Sequence, residues 1–315
     1  DGTFTSNYEK YVSDQFPLRD FWIGVKSRTE KILGKEENNG VYIGKDGYLM
    51  EKFEKPEEKD INFKIDNINS IITNVENTDK YFMLIPNSTK VLEDKLPPYA
   101  PNTDQLVYIN KVKDSIDDSI RFIDLYDVLY QNKDEYIYYR TDHHWTTKGA
   151  YLAYEKLMED MGVKSHGEEY FSIERVTDSF YGSLYSKSGF RNISPDSIYL
   201  YIPKISEDCK VEYIDQGKKA DSIYDLNSLN KKDKYAVFLG GNHPLIKISS
   251  KINNGKKLLI IKDSYANSFV PFLTGHFSEI YMVDLRYYGE DIKSLVEENQ
   301  IESLLMLYNV KTFFE

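Results

Sequence analysis

Two stretches of this sequence carry side chains that could do chemistry together. The first is Arg140-Thr141-Asp142-His143-His144-Trp145-Thr146-Thr147-Lys148-Gly149, which holds two of the chain's five histidines and one of its two tryptophans. An aspartate one residue removed from an imidazole is a natural general-base pair. The carboxylate fixes the ring's tautomer and stabilises the imidazolium that forms when the ring takes a proton. This stretch has no nucleophile of its own. The second stretch, Lys257-Leu258-Leu259-Ile260-Ile261-Lys262-Asp263-Ser264-Tyr265-Ala266-Asn267-Ser268-Phe269, offers one. Its apolar run reads as a buried strand, and Ser264 falls at the turn into the next helical segment. There it projects from the strand's carboxyl end beside helix N-terminal amides that can stabilise an oxyanion. That is the logic of a serine hydrolase or acyltransferase. Each piece also has a plain structural reading, the Asp-x-His unit as a surface pair and the serine as a helix cap.

Further groups are candidates for the same site. In Gly240-Gly241-Asn242, a glycine amide and an asparagine amide can both point at a developing negative oxygen. Ser264, Gly241 and Asn242 therefore make up a candidate oxyanion hole, although Gly-Asn is also ordinary turn chemistry. Trp145 can floor a sugar or acyl pocket or sit in the core. Tyr265, Arg286 and Tyr308 are candidate substrate contacts, with ion pairing to Asp284 the plainer reading of Arg286. No His-x-x-x-His or His-x-Glu spacing occurs and adjacent histidines in an extended turn point apart, so no catalytic metal is expected. Gly-rich phosphate loops are absent, and no cofactor is expected.

The elements that must position these groups follow from apolar periodicity. Ala150, Ala153, Tyr154, Leu157, Met158 and Met161 share one helical face, with Thr146 or Thr147 to cap the start and Gly162 to close the end. Residues 41–50 read as a hairpin turning at Asp46-Gly47. Residues 60–76 and 103–119 read as helices, and residues 80–86 and 121–125 as strands. Strands at 235–239, 257–261, 279–285 and 303–308 follow, with a helix near 289–299. Residues 1–34 read as an extended lead-in and then a helix, with Phe16, Phe21, Trp22, Val25, Ile32 and Leu33 available for docking. Alternating strand and helix implies a parallel sheet with helices on its faces, and ligands bind outside the carboxyl ends of such strands. Residues 163–234 break the rhythm. They read as a loop- and β-rich insertion over the site, with short strands at 180–185 and 198–202.

Asp142-His143-His144-Trp145 followed by Gly149 resembles the signature of the DHHW family, which groups with alginate and cellulose O-acetylation proteins of the AlgX and AlgJ type. Three other stretches are similar to family segments. They are Asp14-Gln15-Phe16-Pro17-Leu18-Arg19, the turn Gly44-Lys45-Asp46-Gly47-Tyr48-Leu49, and the block Lys262-Asp263-Ser264-Tyr265-Ala266-Asn267-Ser268. The resemblance brackets nearly the whole chain. It implies a single SGNH-hydrolase-like α/β domain over 1–315, in which the Asp-x-His motif precedes the serine, a circularly permuted order. It implies Ser264 as nucleophile, His144 as general base and Asp142 as its orienting acid, with His143 the competitor for the base role.

The activity so implied is serine-dependent O-acetyl transfer to an extracellular, cellulose- or alginate-like polysaccharide through acetyl-Ser264. The acetyl group would be passed outward by a membrane-bound O-acyltransferase partner. Carbohydrate acetylesterase activity by the same triad is the alternative, and a non-catalytic glycan-binding or assembly protein a third class. Relatives of this kind act outside the cytoplasmic membrane. The chain begins at Asp1 without an initiator methionine, compatible with a signal or anchor lying outside this sequence.

Bulk composition narrows the field. At 315 residues, 41% hydrophobic and 14% aromatic, the chain can bury a substantial core. Its 27 tyrosines suit a glycan-stacking cleft, although an A/T-rich coding sequence enriches tyrosine as well. A net charge of −11 with no basic stripe argues against nucleic acid and anionic lipid. The lone Cys209 excludes an internal disulfide.

Overall fold

In the computed structural model, residues 24, 25, 29, 34–204 and 209–315 are described. The lead-in expected over 1–34, with its Asp14–Arg19 motif, therefore lies almost entirely outside the described residues.

The first strands among the described residues form a small three-stranded antiparallel sheet, β1 (Glu37–Asn38), β2 (Val41–Ile43) and β3 (Leu49–Glu51). Asp46 and Gly47 turn β2 into β3 with φ of 57° and 77°, the left-handed region that makes Asp-Gly a turn pair. Helix α1 (Glu58–Thr73) follows, burying Ile61, Ile65, Ile68 and Ile72 along one face. Then come β4 (Asp79–Ile85), α2 (Ser88–Val91), α3 (Gln105–Ser115), β5 (Ile120–Ile123), α4 (Tyr126–Gln131) and α5 (Thr147–Asp160). Thr146 caps α5, its hydroxyl accepting from Gly149 N. The middle of the chain supplies β6 (Phe171–Phe180), α6 (Ser183–Ser188), β7 (Asp196–Pro203), β8 (Lys210–Tyr213) and β9 (Lys218–Ala220). The last third contains β10 (Leu245–Ser249), β11 (Lys257–Lys262), α7 (Ala266–Phe269), β12 (Glu279–Val283), α8 (Ile292–Asn299), β13 (Ser303–Asn309) and α9 (Val310–Phe314).

The central sheet has eight strands in the order β5-β4-β13-β11-β12-β10-β8-β9. Its first five are parallel. Alternate residues of these strands enter opposite cores, as the two-residue pleat requires. Met83, Leu258, Ile260, Met282 and Leu305 join one core with α5 and α7. Phe82, Leu259, Ile261, Val283 and Leu304 join the other, with α1, α3, α8 and α9. Burial on both faces is why these strands read as unbroken apolar runs.

Three expectations change. The sheet is mixed rather than parallel throughout, because β10, β8 and β9 extend it antiparallel. Residues 180–185 are not a strand. β6 ends at Phe180, and α6 follows, closed by Gly189 in the left-handed conformation. Leu184 is drawn into a cluster with Val41, Leu49, Phe190 and Ile193, and a short apolar run does not by itself distinguish the two states. Residues 235–239 likewise form a 3-10 turn, Lys234–Val237, with a single bridge from Phe238 to Tyr224. Tyr235, Val237 and Phe238 bury themselves against Tyr139, Phe180, Ile198 and Leu200 without a neighbouring strand to pair with. Within 163–234, β6 and β7 pair as a two-stranded antiparallel ribbon.

Candidate active site

Ser264 lies two residues past the end of β11, half-buried, in a turn held from both sides. Asp263 Oδ1 accepts from Tyr265 N at 2.9 Å, and its Oδ2 accepts from Asn309 N at the end of β13 at 2.8 Å. Asn309 Nδ2 in turn donates to Ile85 O and Asn87 Oδ1 past the end of β4. The serine is therefore fixed to the carboxyl ends of three adjacent strands.

The loop before α5 brings the histidine. Asp196 at the start of β7 anchors that loop, accepting from Arg140 N (2.9 Å), Thr141 N (2.8 Å), the Thr141 hydroxyl and the Tyr136 hydroxyl. Trp145 holds its far end, donating from Nε1 to Tyr265 O and Ser268 Oγ. Between these anchors His144 Nδ1 stands 2.6 Å from Asp142 Oδ1, and His144 Nε2 stands 2.7 Å from Ser264 Oγ. Asp142 Oδ1 also accepts from His144 N, and Oδ2 accepts from Ser183 N at 2.7 Å. Serine, imidazole and carboxylate thus form one continuous hydrogen-bonded relay whose histidine and serine lie 120 positions apart in sequence.

Electrostatics set the protonation states. Burial, seconded by the neighbouring His143, pulls the His144 imidazole down to about 4 against the attraction of Asp142, so the ring is neutral at pH 7. Burial alone would raise the Asp142 carboxyl. His143, His144 and the Ser183 amide together outweigh it and hold Asp142 well below the usual carboxylate range. A neutral imidazole oriented by an ionised carboxylate can accept a proton from a serine hydroxyl.

The relay opens into a cavity of about 520 Å³. Residues from 180–186 and from 232–236 line it, together with Gly241, Asn242, Ser264, Asn267 and Arg286. Of the residues expected to contact substrate, Trp145 is fully buried in the core, stacked near Phe269. Tyr265 is also buried, its hydroxyl donating to His143 O. Tyr308 packs against Phe313 in the second core and does not line the cavity. Trp145 and Tyr265 thus hold neighbouring groups through their polar atoms, while Tyr308 packs its ring against the second core. Arg286 does line the cavity, with its guanidinium clamped on Asp284 at 2.8 and 2.6 Å. Gly241 N donates to Phe238 O at 3.3 Å, which removes it from the candidate oxyanion donors. His143 turns Nδ1 toward Ser183 Oγ at 2.7 Å and away from Ser264.

Asp142, His143 and His144 also bring ligand atoms within 4.8 Å of one another. Both nitrogens of His144 and Nδ1 of His143 are already engaged in the bonds above, an arrangement that suits proton transfer.

Four further residues support the site without a signature in the sequence motifs. Tyr235 stacks on His144, Lys262 is buried beside Ser264, Asp196 anchors the motif loop, and Gly182 abuts Asp142. Of these, Lys262 left a trace in the sequence as a charge ending an apolar strand. The others come from segments with no periodic pattern.

The DHHW protein family matches residues 40–283 of the chain. Among solved structures, a DHHW family protein from Eubacterium siraeum superposes with a TM-score of 0.76 at 25% identity, covering 89% of this chain and 93% of the other. Bacillus cereus PatB1, solved with a sulfonyl adduct, gives 0.73 at 22% identity over 87% and 97% of the two chains. The O-acetyltransferase domain of Pseudomonas putida AlgJ gives 0.52 at 15% identity over 87% and 92%. No curated protein matches the sequence.

Proposed function

The chain belongs to the DHHW family, and from that premise we propose that it is a serine-dependent O-acetyltransferase acting on a polysaccharide. The observation that carries the reading is the relay itself, with Ser264 Oγ 2.7 Å from an imidazole that a buried carboxylate orients. Likeness of fold to the O-acetyltransferase domain of AlgJ supports the choice of acyl group.

His144 Nε2 takes the Ser264 proton as Oγ attacks the carbonyl carbon of an acetyl ester, and Asp142 stabilises the resulting imidazolium. The tetrahedral intermediate collapses, and the donor's alkoxide leaves with the proton from His144. Acetyl-Ser264 remains. A sugar hydroxyl then enters, gives its proton to His144 and attacks the acetyl carbon; collapse expels Ser264 Oγ, which takes that proton back from His144, restoring the free serine and the neutral ring. The acceptor we propose is an extracellular polysaccharide of the cellulose or alginate kind. The acetyl donor is supplied by a membrane-bound O-acyltransferase, which places the chemistry outside the cytoplasmic membrane. Among the described residues no helix is long and apolar enough to cross a membrane.

The test is turnover of a chromogenic acetate ester with and without oligosaccharide. Acetylated oligosaccharide by mass spectrometry, formed at the expense of free acetate and lost in Ser264→Ala, is the expected result. Acetate release indifferent to every glycan makes the protein an esterase, and turnover that survives Ser264→Ala overturns the site.

A further inference from the structure

Lys262 ends β11 with its side chain fully buried, and no step above uses it. Its ammonium donates to Asn242 Oδ1 at 2.8 Å and to Asn267 Oδ1 at 2.9 Å, and lies 3.9 Å from Asp284 Oδ2. Asn267 Nδ2 donates back to Asn242 Oδ1 at 3.1 Å and to Gly241 O at 3.3 Å. Asn242 and Asn267 both line the cavity with Ser264.

This network fixes which way the Asn242 carboxamide faces. Its oxygen receives two donors from the interior, so its NH₂ is the end turned outward. The flipped amide would set its own donors against an ammonium and a second NH₂ group. Asn242 is exposed on the cavity wall. Among the described residues the Ser264 backbone N–H meets no acceptor. A carbonyl oxygen under attack by Ser264 has these two donors within the same cavity.

We propose that Lys262 is a positioning residue for an oxyanion hole made of Asn242 Nδ2 and Ser264 N–H, acting on the acyl oxygen of an ester donor by holding the Asn242 carboxamide oxygen. The surrounding charges agree. Burial pulls the lysine down to about 8 while Asp284 and Asp263 pull it up, so the ammonium persists at pH 7. Arg286 engages both oxygens of Asp284, so that carboxylate is shared between the guanidinium and the ammonium 3.9 Å away. Preorganised donors of this kind act on charge that develops only in the transition state, so their loss appears in kcat rather than KM.

The inference rests on the proposed serine chemistry, and its test separates the two. Turnover of p-nitrophenyl acetate is measured for the full chain, Ser264→Ala, Asn242→Ala, Lys262→Met, the double variant Lys262→Met/Asn242→Ala, and Asn242→Asp. Asn242→Ala should lower kcat about 100-fold and Lys262→Met about 10- to 100-fold, with KM changed by less than about threefold. Because Lys262 acts through Asn242, the double variant should be within about twofold of Asn242→Ala alone. Losses that multiply, or a folded Lys262→Met with wild-type kcat, overturn the proposal. Asn242→Asp keeps the partner of Lys262 and deletes only the donor, so it reports even where Lys262→Met fails to fold. It should lose about 100-fold, and full activity there also overturns the proposal. Turnover that persists in Ser264→Ala rejects the underlying serine chemistry instead.

Discussion

The phenol ring of Tyr235 lies flat on the imidazole of His144, with 3.8 Å between ring centroids and 9° between planes. The Tyr235 hydroxyl lies 3.2 Å from Ser264 O and 3.0 Å from Ser268 Oγ, so the ring is tied to the turn that carries the serine. His143 covers His144 from a tilted position at 3.9 Å. The imidazole is held in plane between two rings, one edge on a carboxylate and the other on a hydroxyl.

Replacing Tyr235 should change both rate and pH profile. His144 works only when neutral, and burial holds it near 4, so the acid limb of kcat/KM in the wild type should lie near pH 4. Tyr235→Ala admits water to one face of the ring, which moves the limb upward toward the ordinary histidine value. It should also cost about tenfold in rate and about 3 kcal/mol in stability. Tyr235→Phe keeps the stack and should leave the limb in place. An unshifted acid limb in a folded Tyr235→Ala, measured on an acetate ester, would show that the stack does not control His144.

Gly182 is required for space. A Cβ there would fall 2.2 Å from Asp142 Cβ and 2.4 Å from Asp142 Oδ2, closer than any relaxed contact. Gly182→Ala should push Asp142 off His144, lowering kcat/KM by about 100-fold and the melting temperature by several degrees. Wild-type kinetics in that variant would mean the 180–183 segment yields freely.

Ser264 and His144 should separate by stability. Ser264→Ala should lose on the order of 10⁴-fold in kcat, abolish labelling by a sulfonyl fluoride, and shift the melting temperature by about 2 °C or less. His144→Ala should lose activity comparably and also be destabilised, because it empties a buried position between two rings. Intact labelling of Ser264→Ala, read by intact-protein mass spectrometry, would assign the reactive hydroxyl elsewhere.

Acid should weaken the fold through two histidines. Burial depresses His144 and His276 to about 4 from an ordinary 6.5, and His166 contributes at His276. Between those values the unfolded chain binds protons that the native chain does not, so stability is full above about pH 6.5 and falls as pH drops toward 4. His276 Nε2 lies 2.7 Å from the Tyr154 hydroxyl, and His276→Gln can keep that contact without titrating. Thermal melts from pH 7 to pH 4 should slope less in that variant. A slope equal to wild type would locate the acid sensitivity elsewhere.

Much of the architecture was legible because it rests on local pattern. Ile61, Ile65, Ile68 and Ile72 mark α1 by spacing alone, and Asp46-Gly47 marks its turn by conformational preference. Residues 180–185 and 235–239 read as strands from sequence because short apolar runs carry no period long enough to decide. What decided them was partners, with Leu184 falling into one small cluster and Tyr235 into another. Trp145, Tyr265 and Tyr308 were expected at the substrate for their chemistry, and all three turn inward. Residue type cannot report that direction.

By itself the sequence determined the alternation of strand and helix and the local pairing of Asp142 with His144, since two residues of loop bring such groups together regardless of what surrounds them. It also placed Ser264 at the end of a buried strand. Only the tertiary structure decided that His144 faces Ser264 at 2.7 Å while His143 turns to Ser183, that Tyr235 covers the ring, and that Lys262 points into the protein. Those outcomes depend on contacts between segments more than a hundred residues apart in some cases, where no local periodicity constrains the approach and packing and hydrogen-bond satisfaction alone select the arrangement.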